Sequence, residues 1–390
     1  MLDALAPMPP DPLLKVMKAY REDPRGDKID LGVGVYRDSA GNTPVMAAVK
    51  QAERCLLDEQ RTKVYVGQQG DVEFLRLLGE LAFGEQADGL VSIQTVGGTG
   101  ALRLGCDLLR AAGAERVLLP TPSWPNHPAI ITASGLRKIA APFFDVVEQR
   151  IDMDALIAGL EHLKPGDAVI LQACCHNPLG ADFTLPQWAI LAEALRARQL
   201  NAFIDLAYLG FGDGVDEDAE GARLVLARVP NVIVAISGAK SFGLYRERVG
   251  ALYVKATFGA REAVLSNLFA IARANYSMPP DHGAACVRTI LGDAALSAMW
   301  RSELDAIRSQ MKATRAALAA ARINSIPMHL IGAQKGMFST LPLSPAQIET
   351  LRAENGIYMT GAGRINVAGL RKGEIARFID AVAAVAQVPR

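Results

Sequence analysis

The chain has 390 residues, half hydrophobic and about a fifth charged, the composition of an ordinary globular protein too long for one small core. Lys and Arg number 41 and so do Asp and Glu, so the formal net charge is zero, and with no basic run there is no electrostatic footprint for nucleic acid or for an anionic membrane. No stretch offers the ~20 apolar residues of a membrane span, and the five cysteines (Cys55, Cys106, Cys174, Cys175 and Cys286) match no disulfide or zinc framework, which points to a reducing cytoplasm.

The opening MLDALAPMPPDPLLKV is proline-rich and lacks a basic start and a long apolar core, so it reads as an extended arm and not as a signal peptide. From about residue 90 to 255, short apolar runs alternate with helical stretches. SIQTV leads into GGTGALRLGCDLLRAAG, where Leu102, Cys106 and Leu109 share a face and Gly113 is placed to end the helix. RVLLP leads into TPSWPNH and AVILQ into ACCHNP. Thr184 and Gln187 then form a capping box with Pro186 in the first turn. NAFID leads into LAYLGFG and NVIVAIS into GAKSFGLY, and VGALYV follows. Such alternation predicts an α/β fold with a mostly parallel sheet flanked by helices. A long helix is expected over about 296–321, with Trp300, Leu304, Ile307 and Met311 on one stripe. Residues 322–390 read as a smaller α+β unit with strands at MHLIG, GMFST and RINVAG and a closing amphipathic helix, EIARFIDAVAAVA. The expected division is 1–43 as the arm and part of the small domain, 44–307 as the large domain and 308–390 as the small C-terminal domain.

Ligands of open parallel sheets bind at the carboxyl ends of the strands, and here each such end carries chemistry. Gly97, Gly98, Thr99 and Gly100 follow the first run, Trp124 the second, Asn177 the third, Asp205 and Tyr208 the fourth, and Ser237 and Lys240 the fifth, with Arg248 beyond. Exposed N–H groups and the helix dipole make the glycine turn suited to an anion, although a plain tight turn is the duller alternative. It lacks the spacing of a dinucleotide fingerprint and the lysine of a P-loop. Asp205 closes an apolar run, so it needs a cationic or hydrogen-bonding partner, which a protonated pyridine nitrogen would supply. A lysine beside a buried strand end, with its basicity lowered by desolvation, is a candidate nucleophile. On its own Trp124 reads equally as a core residue or as a ring stacked on a ligand, while Tyr208 and Asn177, taken singly, read as structural.

The segments LGVGVY, TKVYVG, GGTGALR, SWPNH, CCHNPLGAD, DLAYLGFGDG, KSFGLYRERVG, RANYSMPPDHGA, GMFS and GRINVAGL closely resemble the aspartate and aromatic aminotransferases of class I of the pyridoxal-phosphate-dependent aminotransferases. The resemblance runs in order along essentially the whole chain. It implies fold type I, a large domain with a mostly parallel, seven-stranded-type sheet plus a smaller α+β domain, and a cytoplasmic homodimer with shared active sites. It places Lys240 as the Schiff-base lysine of pyridoxal 5'-phosphate, Asp205 at the pyridine nitrogen, and Tyr208 and Asn177 at the phenolic oxygen. Trp124 would stack on the ring, and His127 would back Asp205. Gly98, Thr99, Ser237 and Arg248, with Tyr65 from the other subunit, would hold the phosphate. Arg364, with Gly34 beside it, would grip the substrate α-carboxylate, and Arg273 would cross the interface to a side-chain carboxylate. Trp124 and Asn177 would also border the substrate.

The sequence departs from the family at Leu179, Leu209, Ala239 and Ser241, and Gln172 stands where many relatives carry histidine. Because the catalytic set is intact, the resemblance implies a working enzyme that exchanges an amino group between aspartate or glutamate, with aromatic donors a further option, and a 2-oxo acid such as 2-oxoglutarate or oxaloacetate. The competing classes are another fold type I enzyme, a β-lyase or decarboxylase, and a non-catalytic cofactor-binding regulator.

Overall fold

The protein is described by a computed structural model covering residues 2–7, 12–323 and 325–387. The central sheet has seven strands: β1 (Val91–Val96), β2 (Arg116–Thr121), β3 (Arg137–Pro142), β4 (Ala168–Gln172), β5 (Asn201–Leu206), β6 (Val232–Ser237) and β7 (Val249–Lys255). Their order across the sheet is β1-β7-β6-β5-β4-β2-β3. The ladder is parallel from β6 through β3, and β7 runs antiparallel to both its neighbours. Every residue of β4 and β6 is buried, as expected for strands covered on both faces.

The helices include α1 (Gly97–Ala111), α2 (Leu185–Ala197), α3 (Gly238–Ser241), α4 (Arg261–Asn275), α5 (Ala294–Ala319) and α6 (Ile375–Ala386). α1 lies close on the sheet because Gly105 has no side chain; a Cβ there would stand 2.3 Å from Cζ of Phe203 on β5. Its buried face includes Leu102, Cys106 and Leu109, and Gly113 follows it at φ 93°. α2 begins on the Thr184–Gln187 capping box, with Pro186 in the first turn. α5 buries Trp300, Leu304, Ile307 and Met311. One turn, α3, hangs from the end of β6 and is anchored to α5. Phe242 stacks on Trp300 with centroids 4.6 Å apart, and the Trp300 indole N–H donates to the Ser241 carbonyl at 2.8 Å.

A separate core joins Ile29 and Leu31 to Leu318, Met328, Ile331, Leu351, Phe378 and Val382. There Ile29–Asp30 pairs in parallel with Ile357–Tyr358, and Phe338–Thr340 pairs antiparallel with Arg364–Asn366. Three expectations need correction. MHLIG is not a strand: Met328–Ile331 is a helical turn entered from Pro327, and its three-residue spacing buries Met328 and Ile331 together. The arm is not extended from Pro12 onward, since Pro12–Glu22 is a helix with proline at the first helical position, where its missing N–H costs nothing; residues 8–11 lie outside the described residues. β3 has no counterpart among the expected strands because it is a sheet edge whose residues are mostly exposed, so it lacks an apolar run.

Candidate active site

A cavity of about 230 Å³ opens at the carboxyl ends of β1, β2, β4, β5 and β6. Gly98, Thr99, Trp124, Asn177, Asp205, Tyr208, Ser237, Lys240 and Arg248 all line it, together with Gln172, Ala239 and Tyr245. Residues distant in sequence therefore meet for the topological reason read from the strand ends.

At one end the N-terminus of α1 faces Ser237 and Arg248. A Cβ on Gly98 would lie 2.8 Å from the Ser237 Cβ, and one on Gly97 would lie 2.8 Å from the Arg248 Nη2. Val96 at the N-cap of α1 makes no side-chain cap, so the helix's first N–H groups and a guanidinium converge as like-signed features. Such a convergence is favourable only around an anion. Arg248 adopts φ 52°, a conformation that non-glycine residues rarely take.

At the centre Asp205 is buried at the end of β5 and accepts from His127 Nε2 at 3.1 Å, while His127 Nδ1 lies 2.9 Å from the Ser123 hydroxyl. Trp124 packs edge-on to His127, with centroids 5.2 Å apart. Lys240 keeps some exposed surface because it faces the cavity. Protein nonetheless crowds it enough that desolvation lowers its pKa; Asp205 opposes that shift and Arg248 adds to it. The Lys240 Nζ lies 5.0 Å from the centroid of the Tyr208 ring. The Tyr208 hydroxyl accepts from Asn177 Nδ2 at 3.2 Å, and burial drives its pKa upward.

Next to Asn177, Arg364 is buried, donates to Asn177 Oδ1 at 3.3 Å and to the Gly32 carbonyl at 2.6 Å, and rests over the Phe338 ring at 4.6 Å. Its Nε has no hydrogen-bond partner among the described residues. Desolvation lowers its pKa. A buried guanidinium with an unused donor suits a carboxylate ligand. Gly34 packs against the same Phe338 ring, where a Cβ would stand 2.9 Å from Cζ.

Four expected residues are not among those that line this cavity: Arg364 adjoins it through Asn177, Gly34 lies against Phe338 beside Arg364, and Tyr65 and Arg273 are exposed at the surface. Tyr65 is 86% exposed, and Arg273, on α4, is exposed and donates to the Ser277 hydroxyl at 2.6 Å. Conversely, Tyr245, Ser123 and Phe338 border the site without any local mark in the sequence, because their role comes from tertiary placement. Ala239 itself offers no hydroxyl beside Thr99 and Ser237, and the Ser241 hydroxyl donates to the Leu209 carbonyl at 2.7 Å.

A lysine of lowered basicity, a buried carboxylate and an anion cradle around one cavity suit a ligand that carries an anionic group, a cationic ring and an amine-reactive carbon. The sequence profile described as aminotransferase class I and II matches residues 26–382. The chain is 47% identical over 380 residues to a tyrosine aminotransferase of Rhizobium meliloti, covering 96% of this chain and 98% of that one. It is 40% identical to an aspartate aminotransferase of Escherichia coli, covering 99% and 100%. The solved aromatic-amino-acid aminotransferase of Burkholderia pseudomallei, covalently bound to pyridoxal phosphate, superimposes with a TM-score of 0.95 at 37% identity, covering 99% and 100%. The chain belongs to the class I and II aminotransferase family, with its fold type I architecture. The residues present fit that family's cofactor, pyridoxal phosphate: anion cradle, buried carboxylate and amine lie in one cavity.

Proposed function

We propose that this chain is a pyridoxal-phosphate-dependent amino-acid aminotransferase acting on aspartate, glutamate and aromatic amino acids with a 2-oxo acid as acceptor. The observation that carries the reading is a desolvated Lys240 amine sharing one cavity with the buried Asp205 carboxylate. The names of the relatives, tyrosine and aspartate aminotransferases, support the substrate range. They also favour transamination over the β-lyase, decarboxylase and regulator alternatives.

Bound here, the cofactor supplies an aldehyde that exchanges amines and a ring that accepts the electrons left when a substrate loses its α-proton. The chain does the rest. The α1 N-terminus, Thr99, Ser237 and Arg248 hold the phosphate, with Tyr65 of a second copy adding a contact. Asp205, oriented by His127, keeps positive charge on the ring nitrogen. Trp124 fixes the plane of the ring, and Asn177 and Tyr208 bind its phenolic oxygen. Lys240 Nζ would take the substrate's α-proton and then, as its conjugate acid, give it back, base and then acid. Arg364, beside Gly34, grips the α-carboxylate through a two-pronged fork that lysine lacks.

We further assign a homodimer in which Arg273 of one copy serves the other's site. Its exposure, like that of Tyr65, agrees with a residue left for a neighbour. The division into 1–43, 44–307 and 308–390 is supported by the separate core around Phe378. Cytoplasmic residence accords with five free cysteines. No helix among the described residues is long and apolar enough to cross a membrane.

The test is incubation of the cofactor-loaded protein with aspartate or tyrosine and 2-oxoglutarate. Stoichiometric glutamate is expected, and Lys240→Ala should lose both the exchange and the cofactor's lysine-linked visible band. Turnover that survives in Lys240→Ala would refute the assignment.

A further inference from the structure

Gln172 lies at the end of β4, 7% exposed, on the floor of the cavity. Its carboxamide is bound twice by one residue: Oε1 accepts from the Asn177 backbone N–H at 2.9 Å and Nε2 donates to the Asn177 carbonyl at 2.9 Å. Turning the amide over would set donor against donor and acceptor against acceptor, so its orientation is fixed. The second hydrogen on Nε2 then points between His176 Nε2 at 3.1 Å and the Ser123 hydroxyl at 3.4 Å.

That fixed hydrogen sets the protons around it. An amide nitrogen cannot accept, so His176 must present Nε2 as a bare acceptor and carry its proton on Nδ1, an atom with no partner among the described residues. Burial pushes the pKa of His176 down to about 3, so it stays neutral. Ser123 likewise accepts from Gln172, and because the Asp205 carboxylate accepts at His127 Nε2, a neutral His127 leaves Nδ1 bare to accept the Ser123 hydroxyl proton, 2.9 Å away. His127 then has only its Nε2–H to give, and it gives it to Asp205. Donors thus run in one direction, Gln172 to Ser123 to His127 to Asp205. Meanwhile the same carboxamide fixes the backbone of Asn177, whose side chain joins Tyr208 to Arg364.

We propose that Gln172 is a positioning residue that locks both arms of the site at once, holding Asn177 in register and presenting His127 to Asp205 as a neutral Nε2–H donor. This rests on the aminotransferase reading for its catalytic consequence but not for its hydrogen-bond content. A leucine at 172 keeps the bulk and loses every one of these bonds. Ser123→Ala cuts only the arm to His127 and leaves Asn177 clamped.

The experiment is nitrogen-15 NMR of histidine-labelled full-length protein, with and without pyridoxal phosphate, alongside steady-state kinetics. The unsubstituted chain should show His127 with a bare Nδ1 and a protonated Nε2. Both variants should lose that tautomer signature, and both should lower kcat, by up to about 100-fold where positioning is lost. Gln172→Leu should also raise KM, because only it frees Asn177 beside Arg364, whereas Ser123→Ala should leave KM near its starting value. An unchanged His127 signature in both variants, or equal effects of both on KM, overturns the proposal. The aminotransferase reading fails differently, through absence of cofactor absorbance and exchange in the unsubstituted chain, and the tautomer measurement keeps its meaning in that case.

Discussion

At the scale of single residues two desolvated cations stand out, the half-buried Lys240 and the buried Arg364. The Lys240 amine sits below the ordinary lysine value of 10.5 because desolvation disfavours its charge. Between that depressed pKa and 10.5 the folded chain binds fewer protons at this amine than the unfolded chain. The group therefore costs stability at low pH, and the cost is relieved as pH rises through the folded value. In cofactor-free protein, reductive methylation by formaldehyde, followed by mass spectrometry, should modify Lys240 with a pH midpoint below that of exposed lysines. In Asp205→Asn the midpoint should fall further, because Asp205 is the group that raises it. A midpoint matching surface lysines would defeat the desolvation account. Arg364 carries the second charge, buried against Phe338 and tied to Asn177. Arg364→Lys keeps the charge and loses the fork. It should cost about 2–3 kcal/mol of substrate binding, roughly a 30- to 150-fold rise in KM, read from initial rates.

At the scale of elements, the site depends on how closely β7 passes under the first turn of α1. Gly250 on β7 has no side chain, and a Cβ there would stand 2.4 Å from the carbonyl carbon of Gly97. That obstacle is backbone and cannot swing aside, so Gly250→Ala must separate β7 from α1. The expected outcome is a loss of about 1–3 kcal/mol of stability together with weaker cofactor binding, seen in chemical denaturation and in a cofactor titration. Thr184→Ala provides the contrast. It removes the cap of α2 and should cost ~1 kcal/mol as a shift in denaturation midpoint with unchanged slope. The same elements show what was legible in the sequence. β4 and β6 are covered on both faces, so they stand out as apolar runs, and the residues after them become visible as a rim. β3 is an exposed edge and carries no such signature. Met328–Ile331 has too few residues for periodicity to separate a turn from a strand. Lys240 and Asp205 could be picked out from the strand ends. Arg364 gave no local sign and entered only through the family resemblance, because its role is set by contacts with Gly32 and Asn177 far off in the chain. The pair of hydrogen bonds between Gln172 and Asn177 is equally invisible, since a β-strand end and a loop five residues on have no sequence rule that joins them.

At the scale of the whole molecule, one chain supplies the cofactor end of the site but leaves Arg273 and Tyr65 on its outside. If a second copy provides them, catalysis on dicarboxylates needs an intact Lys240 from one chain and an intact Arg273 from the other. Two variants, each inactive toward aspartate by itself, then complement each other. In a hybrid of Lys240→Ala with Arg273→Ala, one site combines both defects. The other combines the Lys240 of the Arg273→Ala chain with the Arg273 of the Lys240→Ala chain, and is whole. Unfolding and refolding an equal mixture gives random pairing, so half the dimers are hybrids and about a quarter of all sites are restored. Activity toward aspartate should recover to about that fraction of the unsubstituted protein. Mixing without subunit exchange should give none, because the folded dimers keep their own defects. Tyrosine turnover by Arg273→Ala alone should be much less affected than aspartate turnover, since an aromatic ring has no carboxylate for that arginine to meet. If each chain used its own Arg273, every site in the mixture would carry one defect, and refolding would restore nothing.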